Sequence, residues 1–213
     1  MKLKVALAGL LAMTTAPAFA GGFERQGLYI SPLFENGNYA ELSFGTLNGT
    51  VTGTFGGNPS GDVLPSYQTF GAAVKMDLND QLSFALIFNQ PYGATVEYTT
   101  PGYLLSGTSA HVYTNELAAV GRYKLNDAFS IHAGLRHITA RGDLTLVFPG
   151  AYSTTYSRDS DTGWLIGAAY EKPEIALRAA LTYASATHYS MAGTLGNGTA
   201  TAPQSVTLDL QSG

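Results

Sequence analysis

The sequence predicts an all-β protein, an antiparallel β-barrel that spans a membrane. Three observations carry this prediction: an export signal at the N-terminus, a low content of charged residues, and hairpin patterns that recur along the chain. Only 12% of the residues are charged, whereas there are 25 glycines, 13 tyrosines and 10 phenylalanines. A soluble domain usually carries about twice that share of charge. Low charge, abundant glycine and aromatic residues, and alternating strands are typical of outer-membrane barrels.

Residues 1–20 have the features of a secretory signal peptide. Lys2 and Lys4 precede an apolar run, Val5 to Met13, and the small-residue pattern Ala18-Phe19-Ala20 predicts cleavage before Gly21. The run is too short to span a bilayer, and no later stretch reaches about 18 apolar residues. In hydrocarbon every backbone polar group must be paired, so only helices or closed sheets can cross. A closed sheet in the bacterial outer membrane is therefore expected.

A hairpin pattern occurs three times. The first copy is Gly71 to Phe88, in which apolar residues alternate with small or polar ones on both sides of Asn79-Asp80. The second, Ala118 to Arg136, repeats Leu-Asn-Asp at Leu125, and the third, Gly167 to Tyr183, turns at Lys172-Pro173-Glu174. Alternation on either side of a short polar turn predicts a β-hairpin. A hairpin that recurs at a regular interval indicates an array or a barrel.

The chain divides into three parts. After the signal peptide, residues 21–38 lack alternation and are expected to form a short plug-like segment, and residues 39–213 are expected to form barrel strands one to eight, the last incomplete. The first strand is predicted at Tyr39 to Leu47. Loops rich in Gly, Asn, Thr and Pro are predicted at residues 48–65, 99–110, 149–162 and 192–203. An incomplete eighth strand predicts a piece of a larger barrel, and the alternative is a small eight-stranded structural barrel without transport.

The residue types argue against several other functions. The chain has no cysteine, so disulfides, thiolate metal sites and a cysteine nucleophile are excluded. The net charge of −4 and the absence of basic runs give no reason to expect nucleic-acid binding. Ser130 and His132 share a strand face, but such a pair is common by chance and is a weak sign of an enzyme. We expect no enzyme activity, no catalytic residues, no metal and no cofactor.

Four stretches carry a further pattern: FGAAVKMDLNDQLSFALIFNQPYGATVEY, NELAAVGRYKLNDAFSIHAGLRHITARGDL, TGWLIGAAYEKPEIALRAALTYASATHYSMAG and PQSVTLDLQSG. Together they resemble the FadL/TodX family of outer-membrane transporters for long-chain fatty acids and other hydrophobic compounds. The resemblance implies a fourteen-stranded barrel with an N-terminal plug, of which this chain would hold the first half. It also implies hydrophobic small molecules as substrates, outer-membrane lipid as a partner, and a monomer. The family's Asn-Pro-Ala plug signature is missing from residues 21–38, which leaves a gated plug open to question.

The third predicted strand contains a candidate exit. In the family this strand is kinked and opens the wall sideways, and here it contains Asn89, Pro91 and Gly93. Proline cannot donate to the ladder and glycine tolerates a bend, so the residues alone also predict a break at this point. A bulge where the strand leaves the membrane is the alternative.

Inward-facing side chains are the candidates for a substrate path. Ile87, Val120, Ile138 and Leu165 are expected to line it or, alternatively, to pack against the plug. A carboxylate head group would need a basic partner, for which Arg136 and Arg141 are the candidates, with an inward ion pair to Glu116 or Glu97 as the alternative. The pattern does not distinguish fatty acids from aromatic hydrocarbons or other hydrophobes.

Overall fold

The computed structural model describes residues 25–148, 150–197 and 201–210, and the predicted signal peptide lies outside them. Its strands are β1 (Tyr39–Leu47), β2 (Thr52–Phe55), β3 (Asn58–Asp62), β4 (Tyr67–Asp77), β5 (Leu82–Asn89), β6 (Gly93–Glu97), β7 (Ser109–Lys124), β8 (Phe129–Leu146), β9 (Tyr152–Lys172), β10 (Leu177–Ala184), β11 (Thr187–Gly196) and β12 (Thr201–Leu210). Two 3-10 turns, Ser31–Phe34 and Pro173–Ile175, accompany them. No helix in the described ranges is long and apolar enough to cross a membrane.

Ten of these strands form one antiparallel sheet, which confirms the predicted all-β class. Its order is β1-β4-β5-β7-β8-β9-β11-β12, with β6 paired to β7 and β10 paired to β9. The strands β2 and β3 form a separate hairpin. Within the described residues β1 pairs only with β4 and β12 only with β11, so the sheet is open between its first and last strands.

The short turns are built as the repeated sequence predicts. In the first hairpin the Asn79 side-chain carbonyl accepts the backbone amides of Gln81 and Leu82 at 2.9 and 2.8 Å. In the second, Asn126 accepts the amides of Ala128 and Phe129 at 2.9 and 2.8 Å. Asparagine is favoured in such turns because its side chain bonds the backbone two residues ahead. The two Leu-Asn-Asp copies therefore form the same turn.

Alternation places the apolar side chains on two different faces. On the outward face Leu42, Phe44 and Leu181 are 71, 79 and 81% exposed, as expected of residues that contact lipid instead of water. The inward face is buried and mixes small, apolar and charged side chains, among them Ala73, Lys75, Ser83, Ala85, Glu116, Arg122 and Arg136. The predicted faces of the first hairpin are confirmed, with Val74, Met76 and Leu86 exposed on the outward side.

All four predicted loops contain strand residues, although the loop at residues 99–110 contains only the start of β7 at Ser109. The sequence predicts a loop at residues 149–162, but β9 begins at Tyr152, because Tyr and Thr have high strand propensity and the side chains of Thr154 and Tyr156 are buried on the inward face. The loop at residues 48–65 contains the β2–β3 hairpin. The strand β11 continues to Gly196 and β12 begins at Thr201, inside the loop predicted at residues 192–203.

The segment before β1 packs against the inward face of the sheet. We call residues 25–38 the N-terminal segment. Its side chains Ile30, Leu33 and Phe34 are buried in a cluster with residues of β4, β5, β7, β9 and β10. The Lys75 ammonium donates to the backbone carbonyls of Glu35 and Gly37 at 3.0 and 2.7 Å. The inward face therefore holds this segment by apolar contacts and by hydrogen bonds to its backbone.

Candidate functional site

The predicted kink is an irregularity between β5 and β6. Both strands pair with β7, and the ladder runs from Asn89 opposite Glu116 to Gly93 opposite Tyr113. Gly93 is four residues after Asn89, whereas Tyr113 is only three residues before Glu116. The chain between β5 and β6 therefore contains one extra residue relative to β7. An inserted residue bends a strand and reverses which side chains face inward. Tyr92 accordingly packs inward against the Ile138 cluster.

The kink leaves an opening between β4 and β6. The β4–β5 ladder stops at Ala72 opposite Phe88, and β6 pairs only with β7 among the described strands. At one edge of the opening the Gln90 side chain accepts the Phe70 amide at 3.1 Å and donates to Asn115 at 3.1 Å. At the other edge the Glu97 amide donates to the Val63 carbonyl at 2.9 Å. We call this opening the wall gap.

The side chain of Arg25 fills the wall gap. Its Nη2 donates to Thr95 Oγ1 at 2.9 Å, and its Cζ lies 4.2 Å from the ring centroid of Tyr67 and 5.9 Å from that of Tyr113. A Cβ added at Gly93 would lie 2.6 Å from this Cζ, so the absence of a side chain at Gly93 makes room for the guanidinium. A cavity of about 270 Å³ lies beside it, lined by Arg25, Gln26 and residues of β1 and β4.

The kink also holds the N-terminal segment by its backbone. The Pro91 carbonyl accepts the amides of Arg25 and Gln26 at 2.8 and 3.0 Å. Close by, Asn89 is fully buried, and neither of its side-chain amide atoms has a hydrogen-bond partner among the described residues. Buried amide groups are usually paired, so the Asn89 amide is an exception located at the strand break.

The four predicted path residues are all buried on the inward face. Ile87, Val120 and Leu165 share one cluster with Leu33 and Phe34 of the N-terminal segment. Ile138 lies in a second cluster with Ala140, Tyr156, Tyr189, Met191 and Leu210. Three of the four thus belong to the cluster that includes the N-terminal segment, and Ile138 belongs to the cluster against which Tyr92 packs.

The two predicted head-group arginines differ in their surroundings. Arg136 is buried, and its Nε donates to Glu116 Oε2 at 2.9 Å, which is the inward ion pair named as the alternative. Arg141 lies on the opposite face of β8, exposed, with its Cζ 5.4 Å from the Tyr113 ring. Arg141 therefore points outward beside Tyr113, whose ring also contacts Arg25 at the wall gap, whereas Arg136 faces the interior.

A second group of charges clamps Phe34. The guanidinium carbons of Arg122 and Arg178 lie 4.8 and 5.2 Å from its ring, and His132 packs edge-on at 5.5 Å. Arg178 also donates to the Phe34 carbonyl at 2.9 Å and to Glu171 at 3.0 Å. Arg122 forms an ion pair with the same Glu171. A buried aromatic ring between two cations is a stable anchor for the N-terminal segment.

The geometry does not support a catalytic pair of Ser130 and His132. Ser130 accepts a hydrogen bond from Arg122 at 3.0 Å, and His132 Nε2 bonds Thr182 Oγ1 at 2.8 Å, so the two side chains are bonded to other residues. Within the described ranges no three His, Asp or Glu side chains are grouped so that they could hold a metal ion.

Comparison with known families decides the class of protein. A family model described as outer membrane protein transport protein (OMPP1/FadL/TodX) matches residues 35–212. The chain belongs to this family. The FadL/TodX family is a family of outer-membrane transport proteins and not an enzyme family, which confirms the predicted resemblance.

A solved FadL homologue from Pseudomonas aeruginosa has the same fold. The TM-score is 0.55 at 16% sequence identity, and the match covers 81% of this chain and 53% of that one. The chain thus spans about half the length of the FadL homologue it matches. No curated protein matches the chain.

Two residues of the wall gap in this FadL/TodX chain were not predicted from the sequence. Gln90 lies between two predicted kink residues, and its neighbour Pro91 signals only that the ladder breaks there. That the Gln90 side chain accepts the Phe70 amide is seen only in the structure. Arg25 lies in a stretch without periodicity, so nothing in the pattern connected it with the kink. Only the fold brings residues 25 and 93 together.

Proposed function

We propose that the protein carries long-chain fatty acids or similar hydrophobic molecules passively across the outer membrane and releases them sideways through the wall gap. The observation that carries this proposal is the gap itself. It opens where β4 and β6 separate, beside an outward row of Phe44, Phe70 and Phe88 with ring centroids 5.2 and 5.7 Å apart. Membership of a transport family supports the general role.

The interior provides apolar surface next to the gap. Ile87, Val120 and Leu165 present buried apolar side chains that the N-terminal segment now covers. A methylene group gains about 0.8 kcal/mol on leaving water, so a long alkyl chain can replace these contacts one by one. In this proposal residues 25–38 act as a plug, and the substrate passes along the surface that the plug occupies.

The outward surface beside the gap suits release into lipid. A hollow of about 580 Å³ lies on the outer side of β1, β4 and β5, and its lining includes Leu42, Val74, Leu86 and Phe88. Phe88 precedes the kink directly at Asn89. An alkyl chain that leaves through the gap meets this surface without entering water.

The test restores the sheet at the kink and measures uptake. Pro91→Ala returns a backbone amide donor to the kink, and Gly93→Val places a branched side chain where Arg25 now lies. Uptake of radiolabelled oleate by vesicles that contain either variant is expected to fall several-fold. The matched controls are Pro59→Ala and Gly53→Val in the β2–β3 hairpin, where the extra atoms meet no close neighbour at Gly53.

Unchanged uptake in both kink variants would contradict lateral release. Loss of uptake in the control variants as well would show that the effect arises from misfolding. A protein that passes no oleate in any form would contradict the transport of fatty acids.

A further inference from the structure

Arg25 differs from three other arginines of the sheet in its partners. Arg136, Arg122 and Arg178 each form an ion pair with a carboxylate, Glu116 or Glu171. Within the described residues Arg25 has no such pair, and its contacts are the Thr95 hydroxyl and the rings of Tyr67 and Tyr113. A guanidinium has five N–H donors in a planar fork that matches a carboxylate. Arg25 therefore keeps free capacity for an anion.

The acidic side chains near Tyr113 are bound to another residue. Glu97 and Asp143 lie near Tyr113, but both bind His111, at 3.1 and 2.6 Å from its two ring nitrogens. The His111 ring is stacked on Tyr113 with centroids 5.9 Å apart. Arg141 lies on another side of the same tyrosine ring, 5.4 Å from its centroid. Two guanidiniums thus flank Tyr113 at the gap while the local carboxylates are held by histidine.

The surroundings of Arg25 are amphipathic in a way that fits one kind of molecule. The phenylalanine row at the Gln90 edge of the gap is apolar, and Arg25 provides a cation at the gap itself. On the inner side of the kink the unpaired amide of Asn89 offers hydrogen bonds to a polar group. A molecule with a long apolar chain and an anionic head matches both the apolar row and the cation, whereas a pure hydrocarbon leaves Arg25 unused.

The geometry points to Arg25 as the residue that binds the anionic head group of the substrate at the wall gap, so that the site favours long-chain carboxylates over uncharged hydrophobes. This inference rests on the proposed function, because it names the substrate class of the same exit. A charge-assisted bidentate hydrogen bond at a low-dielectric site is among the strongest polar contacts available to the protein. The carboxylate replaces the tyrosine faces as the partner of the guanidinium.

The test compares two probes that share one chain, oleate and oleyl alcohol. Binding to the purified full-length protein is measured first, and flux into vesicles second, for the unmodified protein, Arg25→Gln and Arg25→Lys. We expect Arg25→Gln to weaken oleate binding about tenfold or more and to leave oleyl alcohol binding within about twofold. Arg25→Lys keeps the charge and loses the fork, so it should fall between the two.

Arg158→Gln is the matched control, since Arg158 is an exposed arginine of β9 outside the wall gap. The inference is overturned if Arg25→Gln changes both probes equally, which would make Arg25 a steric stopper, or if it changes neither. It is also overturned if the unmodified protein binds no oleate. Arg25-dependent oleate binding without flux supports the head-group site and contradicts the transport proposal, so the two failures are distinct.

Discussion

The side chain of Gln90 accepts the backbone amide of Phe70 at 3.1 Å, at the position where a strand would otherwise supply a carbonyl. The β4–β5 register places residue 90 opposite residue 70, but the paired ladder has already ended at Phe88. A side-chain amide thus replaces a backbone partner and forms one edge of the wall gap. This replacement satisfies a polar group that would be costly to leave unpaired in a membrane.

Loss of the Gln90 side chain should destabilise the edge of the wall gap and widen the gap. We predict that Gln90→Leu lowers the free energy of unfolding by about 1–3 kcal/mol, because the Phe70 amide loses its acceptor. Hydrogen exchange at Phe70 should accelerate in the same variant. The control is Gln68→Leu, at an exposed position of β4, the strand that contains Phe70. Equal protection of Phe70 in both variants would show that Gln90 is dispensable.

The buried pair Arg136–Glu116 allows a second prediction. Glu116→Gln leaves the arginine charge buried with a weaker partner, and breaking such a pair costs about 3–5 kcal/mol. Urea unfolding should show this loss, whereas Glu174→Gln in the exposed Pro173–Ile175 turn should have little effect. The double variant Glu116→Leu with Arg136→Met should recover most of the stability, since no charge is then buried. No recovery would mean that the pair has a role beyond charge compensation.

Phe34 should control how firmly the N-terminal segment is held. Phe34→Ala removes the ring that lies between Arg122 and Arg178, and such truncations cost about 3–5 kcal/mol in a packed site. We expect residues 25–38 to become sensitive to limited proteolysis while the sheet keeps its far-UV circular dichroism. Phe55→Ala, in the exposed β2–β3 hairpin, is the control. If the cleavage rates of the two variants are equal, the clamp does not hold the segment.

The turn after β9 contains the one described non-glycine residue with a positive φ, Ala176 at 51°. A left-handed conformation costs an L-residue about 1–2 kcal/mol, so Ala176→Gly should stabilise the protein by about 0.5–1 kcal/mol after its entropy cost. The control Ala179→Gly lies in β10, where glycine should instead destabilise. Thermal unfolding of the two variants should shift in opposite directions.

Asp62 should make the β2–β3 hairpin sensitive to acid. Hydrogen bonds from the backbone amides of Val51 and Leu64 hold the pKa of its carboxyl below the ordinary value. The stabilisation is therefore complete above the ordinary pKa and is lost as the pH falls through the lowered pKa. NMR titration of the Val51 and Leu64 amide shifts should have a midpoint below the ordinary carboxyl range, and Asp62→Asn should abolish it. A midpoint at the ordinary value would contradict the two hydrogen bonds.

The sequence predicted the parts of the fold that depend on local pattern. Alternation and the repeated Leu-Asn-Asp turn gave β1, β4, β5 and the hairpins, because lipid outside and packing inside impose a period of two. It failed for β9, whose first half is polar on both faces, so alternation could not distinguish strand from loop. The β2–β3 hairpin was missed because its glycines and Pro59 are also typical of loops.

The candidate site was predictable only in part for a different reason. Proline and glycine marked the kink, since both act locally on the ladder. The partners of the kink come from distant positions: Phe70 from β4 and Arg25 from the N-terminal segment. Their contacts depend on register and on the direction of the bend. Likewise, Arg136 and Arg141 are an odd number of residues apart on β8, so the sequence already indicates that their side chains lie on opposite faces of the strand. Only the structure shows that Glu116 neutralises the charge of Arg136.

The Pro91 carbonyl joins two parts of the molecule that could otherwise move independently. It accepts the amides of Arg25 and Gln26, so any displacement of the N-terminal segment breaks two hydrogen bonds at the kink. If the proposed function holds, ligand occupancy in the interior and the conformation of the exit share one free energy, and linkage requires that each affects the other by the same amount. In that proposal a substrate that displaces the segment weakens the hold on its own exit, and the Pro91 carbonyl is the atom through which entry and departure are coupled.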